Sequence, residues 1–140
     1  MTNWYNQINH KTAPLLDHIK AHQFIKDIMN GTLTEDIFYF YIKQDVIYLA
    51  EYKKILAQIG INCQEDTETQ FFLDAATGII AVENSLHQNF LKEQKIEEET
   101  SPTCELYISY LSRMANTKPL EEALAAVLPC FTVYKQIGDY

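Results

Sequence analysis

Residues 37–60 read IFYFYIKQDVIYLAEYKKILAQIG, and their spacing decides the fold. On a helical wheel, at about 100° per residue, Phe38, Tyr41, Tyr48, Leu49, Tyr52, Ile55, Leu56 and Ile59 share one arc. Lys43, Gln44, Glu51, Lys54 and Gln58 gather on the other side, which is expected to face water. The apolar residues do not alternate as a strand requires, so the stretch reads as a helix. The same spacing recurs along the chain, and with only 4 Gly and 4 Pro there is little to interrupt it. The fold class is therefore all-α.

Working outward, a first helical stretch is expected from about Pro14 to Asn30, stopped by Asn30 and Gly31. Thr34 can cap the next helix, Glu35 and Asp36 suit the positive end of its dipole, and Gly60 can end it. A third helix is expected from about Glu65 to Gln94. The acidic segment KIEEETS then forms a solvated connection to Ser101 and Pro102, a cap followed by proline at the first helical position. A fourth helix covers about Pro102 to Asn116, and a fifth about Pro119 to Ile137, with Gly138 as its stop.

A chain of 140 residues, 47% of them hydrophobic, has the usual size of one domain and can bury a core, so residues 1–140 are read as a single domain. The net charge of −8 disfavours capture of nucleic-acid phosphates, and no local basic patch offsets it. There is no leader-like start and no apolar run long enough to span a bilayer, so no membrane partner and a cytoplasmic location are expected. Cys63, Cys104 and Cys130 match neither a CxxC motif nor a structural zinc site, and thiols are expected at all three. The 9 Tyr and 7 Phe supply many flat surfaces and phenol hydroxyls, suited to packing or to holding a flat ligand.

Asp45 falls near the centre of the apolar arc. Burying a lone carboxylate costs several kcal/mol unless hydrogen bonds or a counter-charge compensate. Tyr41 and Tyr48, four and three residues away on the same face, could donate to it. Either Asp45 is a core aspartate satisfied by hydroxyls or backbone amides, or it forms the wall of an aromatic pocket for a ligand with N–H donors. In the last stretch, LPCFTVYKQIG, Pro129 removes a backbone donor and crowds the Ala125 carbonyl, so a kink or local break is expected near Leu128. Cys130 follows it, with Tyr134 one turn further on the same face. Cys130 is either a small packing residue or a thiol activated from elsewhere in the fold. Glu83 and His87, four apart, form an incomplete metal pair, and His18 and His22 read as surface or packing residues rather than haem ligands. No metal and no cofactor are expected.

Five stretches, HQFIKDIMNGTL, YIKQDVIYL, ENSLHQNF, SPTCELYISY and LPCFTVYKQIG, occur in an order and spacing that resemble the TenA family, the thiaminase II enzymes of thiamin salvage. The resemblance covers essentially the whole chain. It implies a haem-oxygenase-like helical bundle, usually a homotetramer, that hydrolyses a C–N bond in aminopyrimidine compounds and, more weakly, in thiamin. Carried over by motif, Cys130 would be the nucleophile and Asp45 would grip the amidine-like edge of the pyrimidine. Tyr48, Tyr107 and Tyr134 would line the pocket, with Tyr41 beside them. The proline-cysteine motif places the chain in the branch that carries this nucleophile.

Members of that family continue for further helices beyond the glycine that matches Gly138, and that part carries a catalytic glutamate and another pocket tyrosine. The expectation is therefore a fragment, a truncated product, or a chain that completes its bundle through another copy. Loss of the later helices would leave apolar faces of the second and fifth helices uncovered. Without a general acid, turnover would fall by roughly 10² to 10⁴. The alternative is a non-catalytic pyrimidine-binding or interaction module.

Overall fold

The computed structural model describes residues 3–91 and 99–140. Six α-helices and no strand occur among them: α1 (Trp4–Lys20), α2 (Gln23–Asn30), α3 (Glu35–Asn62), α4 (Asp66–Leu86), α5 (Pro102–Thr117) and α6 (Leu120–Gly138). A π-helical turn, His87–Leu91, extends α4. The end of the expected third helix and most of the KIEEETS segment lie outside the described residues.

The chain divides into two compact units, one holding residues up to Glu35 together with Cys130–Tyr140, the other holding Asp36–Pro129. In the second unit, α3 is the central element. Tyr52, Leu56 and Ile59 on α3 and Leu111 on α5 are its most completely buried large side chains. Helices α3 and α4 run antiparallel. Gly60 lies against Phe72 near one end of the pair, Lys53 bonds Glu83 further along, and Phe38 meets Phe90 edge-on at 5.4 Å beyond the far end. Gly60 does not stop α3, as its residue type suggested. The helix continues to Asn62, and the missing side chain instead admits α4, because a Cβ there would stand 3.2 Å from that of Phe72. Helices α3 and α5 run parallel, since Gln44 contacts Ser101 and, one turn on, Tyr48 contacts Tyr107. The buried Ala123, Ala126 and Val127 of α6 are small enough for that helix to approach closely. There the Tyr52 hydroxyl donates to the Val127 carbonyl at 3.1 Å.

In the first unit, α1 begins at Trp4, ten residues before the expected start at Pro14. Asn3 caps it by accepting from the Tyr5 N–H at 3.0 Å. The expected single stretch is also two helices, because His22 is an N-cap whose Nδ1 accepts from the Phe24 N–H at 3.2 Å. Gly31 ends α2 as expected, with φ of 67° in the left-handed region, and the Thr32 N–H closes onto the Asp27 carbonyl at 2.8 Å.

Both internal prolines are carried within helices. Of the kink or local break expected at Pro129, the break is absent, since α6 continues through it, and α1 likewise passes through Pro14. The carbonyls deprived of a donor belong to His10 and Ala125, four residues earlier in each case. Both residues are exposed, so water can take the donor's place. Ser101 and Pro102 open α5 as expected, the Ser101 hydroxyl accepting from the Cys104 N–H at 3.3 Å.

Candidate functional site

Steps of four, three and four residues place Tyr41, Asp45, Tyr48 and Tyr52 along one face of α3. Tyr48 and Tyr52 are buried, while Tyr41 and Asp45 are half-buried. Tyr107 reaches across from α5 and stacks on Tyr48, with centroids 5.7 Å apart and planes inclined by 14°. Tyr48 also stacks with Tyr52, at 5.1 Å and 23°. Near-parallel pairs of this kind contribute about 0.5–1.5 kcal/mol each beyond their burial. The stack runs from the core at Tyr52, 1% exposed, to the surface at Tyr107, 37% exposed. Asp45 lies one turn before Tyr48 on the same face of α3, which places a carboxylate-bearing residue beside this wall of flat rings.

The sequence pattern missed Gln44. Placed on the water-facing side by the wheel, it is in fact 8% exposed. Its Nε2 donates to the Glu99 carbonyl at 3.0 Å, and its Oε1 accepts from the Ser101 N–H at 2.8 Å. Its own carbonyl accepts from the Cys104 Sγ at 3.7 Å. The chain leading into α5 covers this position, and both side-chain partners are backbone groups, which no sequence motif marks.

Cys104 is thereby a neighbour of Asp45. Burial pushes its thiol above the ordinary value, and the charges of Glu105 and Asp45 push it the same way. The Cys63 thiol is raised by burial and by Glu68. Both therefore stay protonated at neutral pH. None of the three cysteines is in a disulfide.

Cys130 and Tyr134 lie on the last turns of α6, one turn apart, and belong to the first unit. Cys130 is half-buried and Tyr134 is exposed. The structure thus stacks Tyr48 with Tyr107, aligns Tyr41 and Asp45 with Tyr48 on α3, and pairs Cys130 with Tyr134 on α6.

Glu83 is engaged by Lys53 rather than by a metal-ligating neighbour. No group of three or more metal-ligating side chains occurs among the described residues. His22 serves as a helix cap and His18 is exposed. No helix among the described residues is long and apolar enough to cross a membrane.

This fold is that of the haem-oxygenase-like helical bundles. The chain superposes on a TenA homologue protein from P. horikoshii OT3 with a TM-score of 0.85 at 25% identity, covering 97% of this chain and 66% of that one. It superposes on a TenA family transcription regulator from Silicibacter sp. TM1040 with a TM-score of 0.86 at 19% identity, covering 97% and 63%. The TENA/THI-4/PQQC family profile matches residues 9–140, and the chain belongs to that family. It is 32% identical over 125 residues to an aminopyrimidine aminohydrolase of Bacillus subtilis, covering 85% of this chain and 53% of that protein. It is equally similar, at 32% over 125 residues, to an aminopyrimidine aminohydrolase of Helicobacter pylori, covering 85% and 58%. The chain spans between about half and two-thirds of the length of these relatives.

Proposed function

We propose that the chain acts in thiamin salvage as a hydrolase of aminopyrimidine breakdown products, and more weakly of thiamin, through Cys130. The observation that carries this reading is the Tyr48–Tyr107 stack one turn from Asp45, in a chain of a family whose members include aminopyrimidine aminohydrolases. A flat ring with amino and ring-nitrogen edges suits such a wall. The aromatic faces take its plane, and the carboxylate takes its N–H donors.

In this proposal the Cys130 thiolate adds to the pyrimidine ring and breaks its aromaticity. Ring electrons then expel the group on the exocyclic methylene, cleaving the C–N bond, and the leaving amine takes up a proton. Water adds to the methylene, and the thiolate departs as the ring recovers aromaticity. One hard step becomes two easier ones. Asp45 stabilises the positive charge that develops over the ring nitrogen and amino group. Tyr41, Tyr48, Tyr107 and Tyr134 line the ring, and the active form is a cytoplasmic homo-oligomer, a tetramer by resemblance to the family.

The test is product release from the aminomethyl-aminopyrimidine and, separately, from thiamin, with Cys130→Ala and Asp45→Asn as controls. Turnover that disappears in Cys130→Ala supports the nucleophile. Turnover that persists in it rejects that role. A substrate that raises the melting temperature without being turned over identifies a pyrimidine-binding module instead.

A further inference from the structure

We infer that Gln44 is a positioning residue for this site: its side-chain amide locks the start of α5 onto α3 and so sets the Tyr48–Tyr107 stack beside Asp45. The inference rests on the aminopyrimidine reading above for its ligand, and on geometry for the rest. Gln44 uses both ends of its amide, donating to Glu99 and accepting from Ser101, while Cys104 donates to its backbone carbonyl. The three contacts converge on the residues that open α5.

From this clamp, Tyr48 lies four residues along α3 and Tyr107 lies three residues beyond Cys104 along α5. At about 1.5 Å per residue the two advances are about 6 and 4.5 Å, so parallel helices bring the rings level. A slip of α5 by one residue would turn Tyr107 by about 100° around its helix axis and end the stack. Tyr107 is 37% exposed, so burial of its own ring holds it only in part; Ile108 and Leu111 anchor α5 further along, and the clamp fixes the end of the helix that carries Tyr107. Gln44 also adjoins Asp45 in the chain, so the same bonds hold the backbone that carries the carboxylate.

Gln44→Met removes both side-chain bonds at similar volume, and Tyr107→Leu removes the stack itself. Tyrosine near-ultraviolet circular dichroism reads the stack without any ligand. The expected result is that Gln44→Met loses the band that Tyr107→Leu loses, keeps the far-ultraviolet helix signal, and loses nothing further in the double variant. With the aminomethyl-aminopyrimidine as probe, affinity should fall about tenfold in either single variant and fall no further when they are combined. A wild-type tyrosine band in Gln44→Met, or affinity losses that simply multiply, would overturn the inference. If Gln44→Met does not fold, Gln44→Glu keeps the acceptor for Ser101 and loses the donor to Glu99. It should then show an intermediate band, and an unchanged band would again overturn the inference. Absence of any probe binding by the wild-type chain would reject the aminopyrimidine reading, while the ligand-free spectra would still decide the role of Gln44 in setting the stack.

Discussion

The hydroxyl of Tyr52 donates to the carbonyl of Val127 at 3.1 Å, tying the middle of α3 to α6 two residues before Pro129. Tyr52 is 1% exposed, so water cannot replace this bond without entering the core. Tyr52→Phe keeps the ring and its stacking on Tyr48 but loses the donor. Stability should fall by about 1 kcal/mol, measured by urea unfolding, with the helix content unchanged. No change in the unfolding midpoint would mean that the bond contributes nothing.

Two glycines inside helices should respond to alanine with opposite signs. Alanine is favoured over glycine in a helix interior by about 1 kcal/mol. At Gly78 a Cβ would meet nothing within 4 Å, so Gly78→Ala should stabilise by about 0.5–1 kcal/mol. At Gly60 the new atom would stand 3.2 Å from the Phe72 Cβ and 3.4 Å from the Thr69 carbonyl oxygen. The Phe72 Cβ is fixed to the backbone of α4, so the helix itself must shift, at a typical cost of about 1–3 kcal/mol. Gly60→Ala should therefore be net destabilising. Equal rises in melting temperature for both variants would contradict the close approach of α3 and α4.

Glu83 is 8% exposed, and Lys53 answers its charge from α3. Lys53→Met would leave that carboxylate buried without its cation and should cost about 2 kcal/mol. This is less than for a fully enclosed pair, because the Lys53 side chain keeps 27% of its exposure. Replacing both residues by methionine should recover most of the loss. A double variant as unstable as Lys53→Met would show that the pair does more than neutralise a buried charge.

Local chemistry made part of this architecture legible in the sequence. Gly31 marks a helix end because its backbone needs the left-handed region, and Ser101 with Pro102 marks a start because one residue caps while the other lacks only a dispensable N–H. The arc of Tyr48, Leu49, Tyr52, Ile55, Leu56 and Ile59 is buried as its period requires. Tyr48 and Tyr107 were both legible as candidates, but their stacking depends on how α5 returns to α3. Gln44 was hidden for the same reason, since its side-chain partners lie 55 and 57 residues away along the chain. Pro14 did not mark a helix start and Pro129 did not end one, because a helix can continue past a proline where the carbonyl four residues earlier finds another partner, which sequence does not state.

The raised thiols of Cys104 and Cys63 give the fold an alkaline dependence whose sign follows from linkage. A group whose native pKa lies above its unfolded value holds its proton longer in the native state. The associated stability is fully present below the ordinary thiol range and is lost as pH rises through it, because the unfolded chain ionises first. Melting temperature should therefore decline as pH is raised through that range, and less so in Cys104→Ala. Alkylation followed by peptide mass spectrometry should find both thiols slower at neutral pH in the folded chain than in the unfolded one. Burial is the main cause at Cys104, with Glu105 and then Asp45 adding to it. Asp45→Asn should accordingly speed Cys104 alkylation only modestly and leave Cys63 unchanged. A large acceleration at Cys104 would mean that the Asp45 charge, rather than burial, is what keeps that thiol protonated.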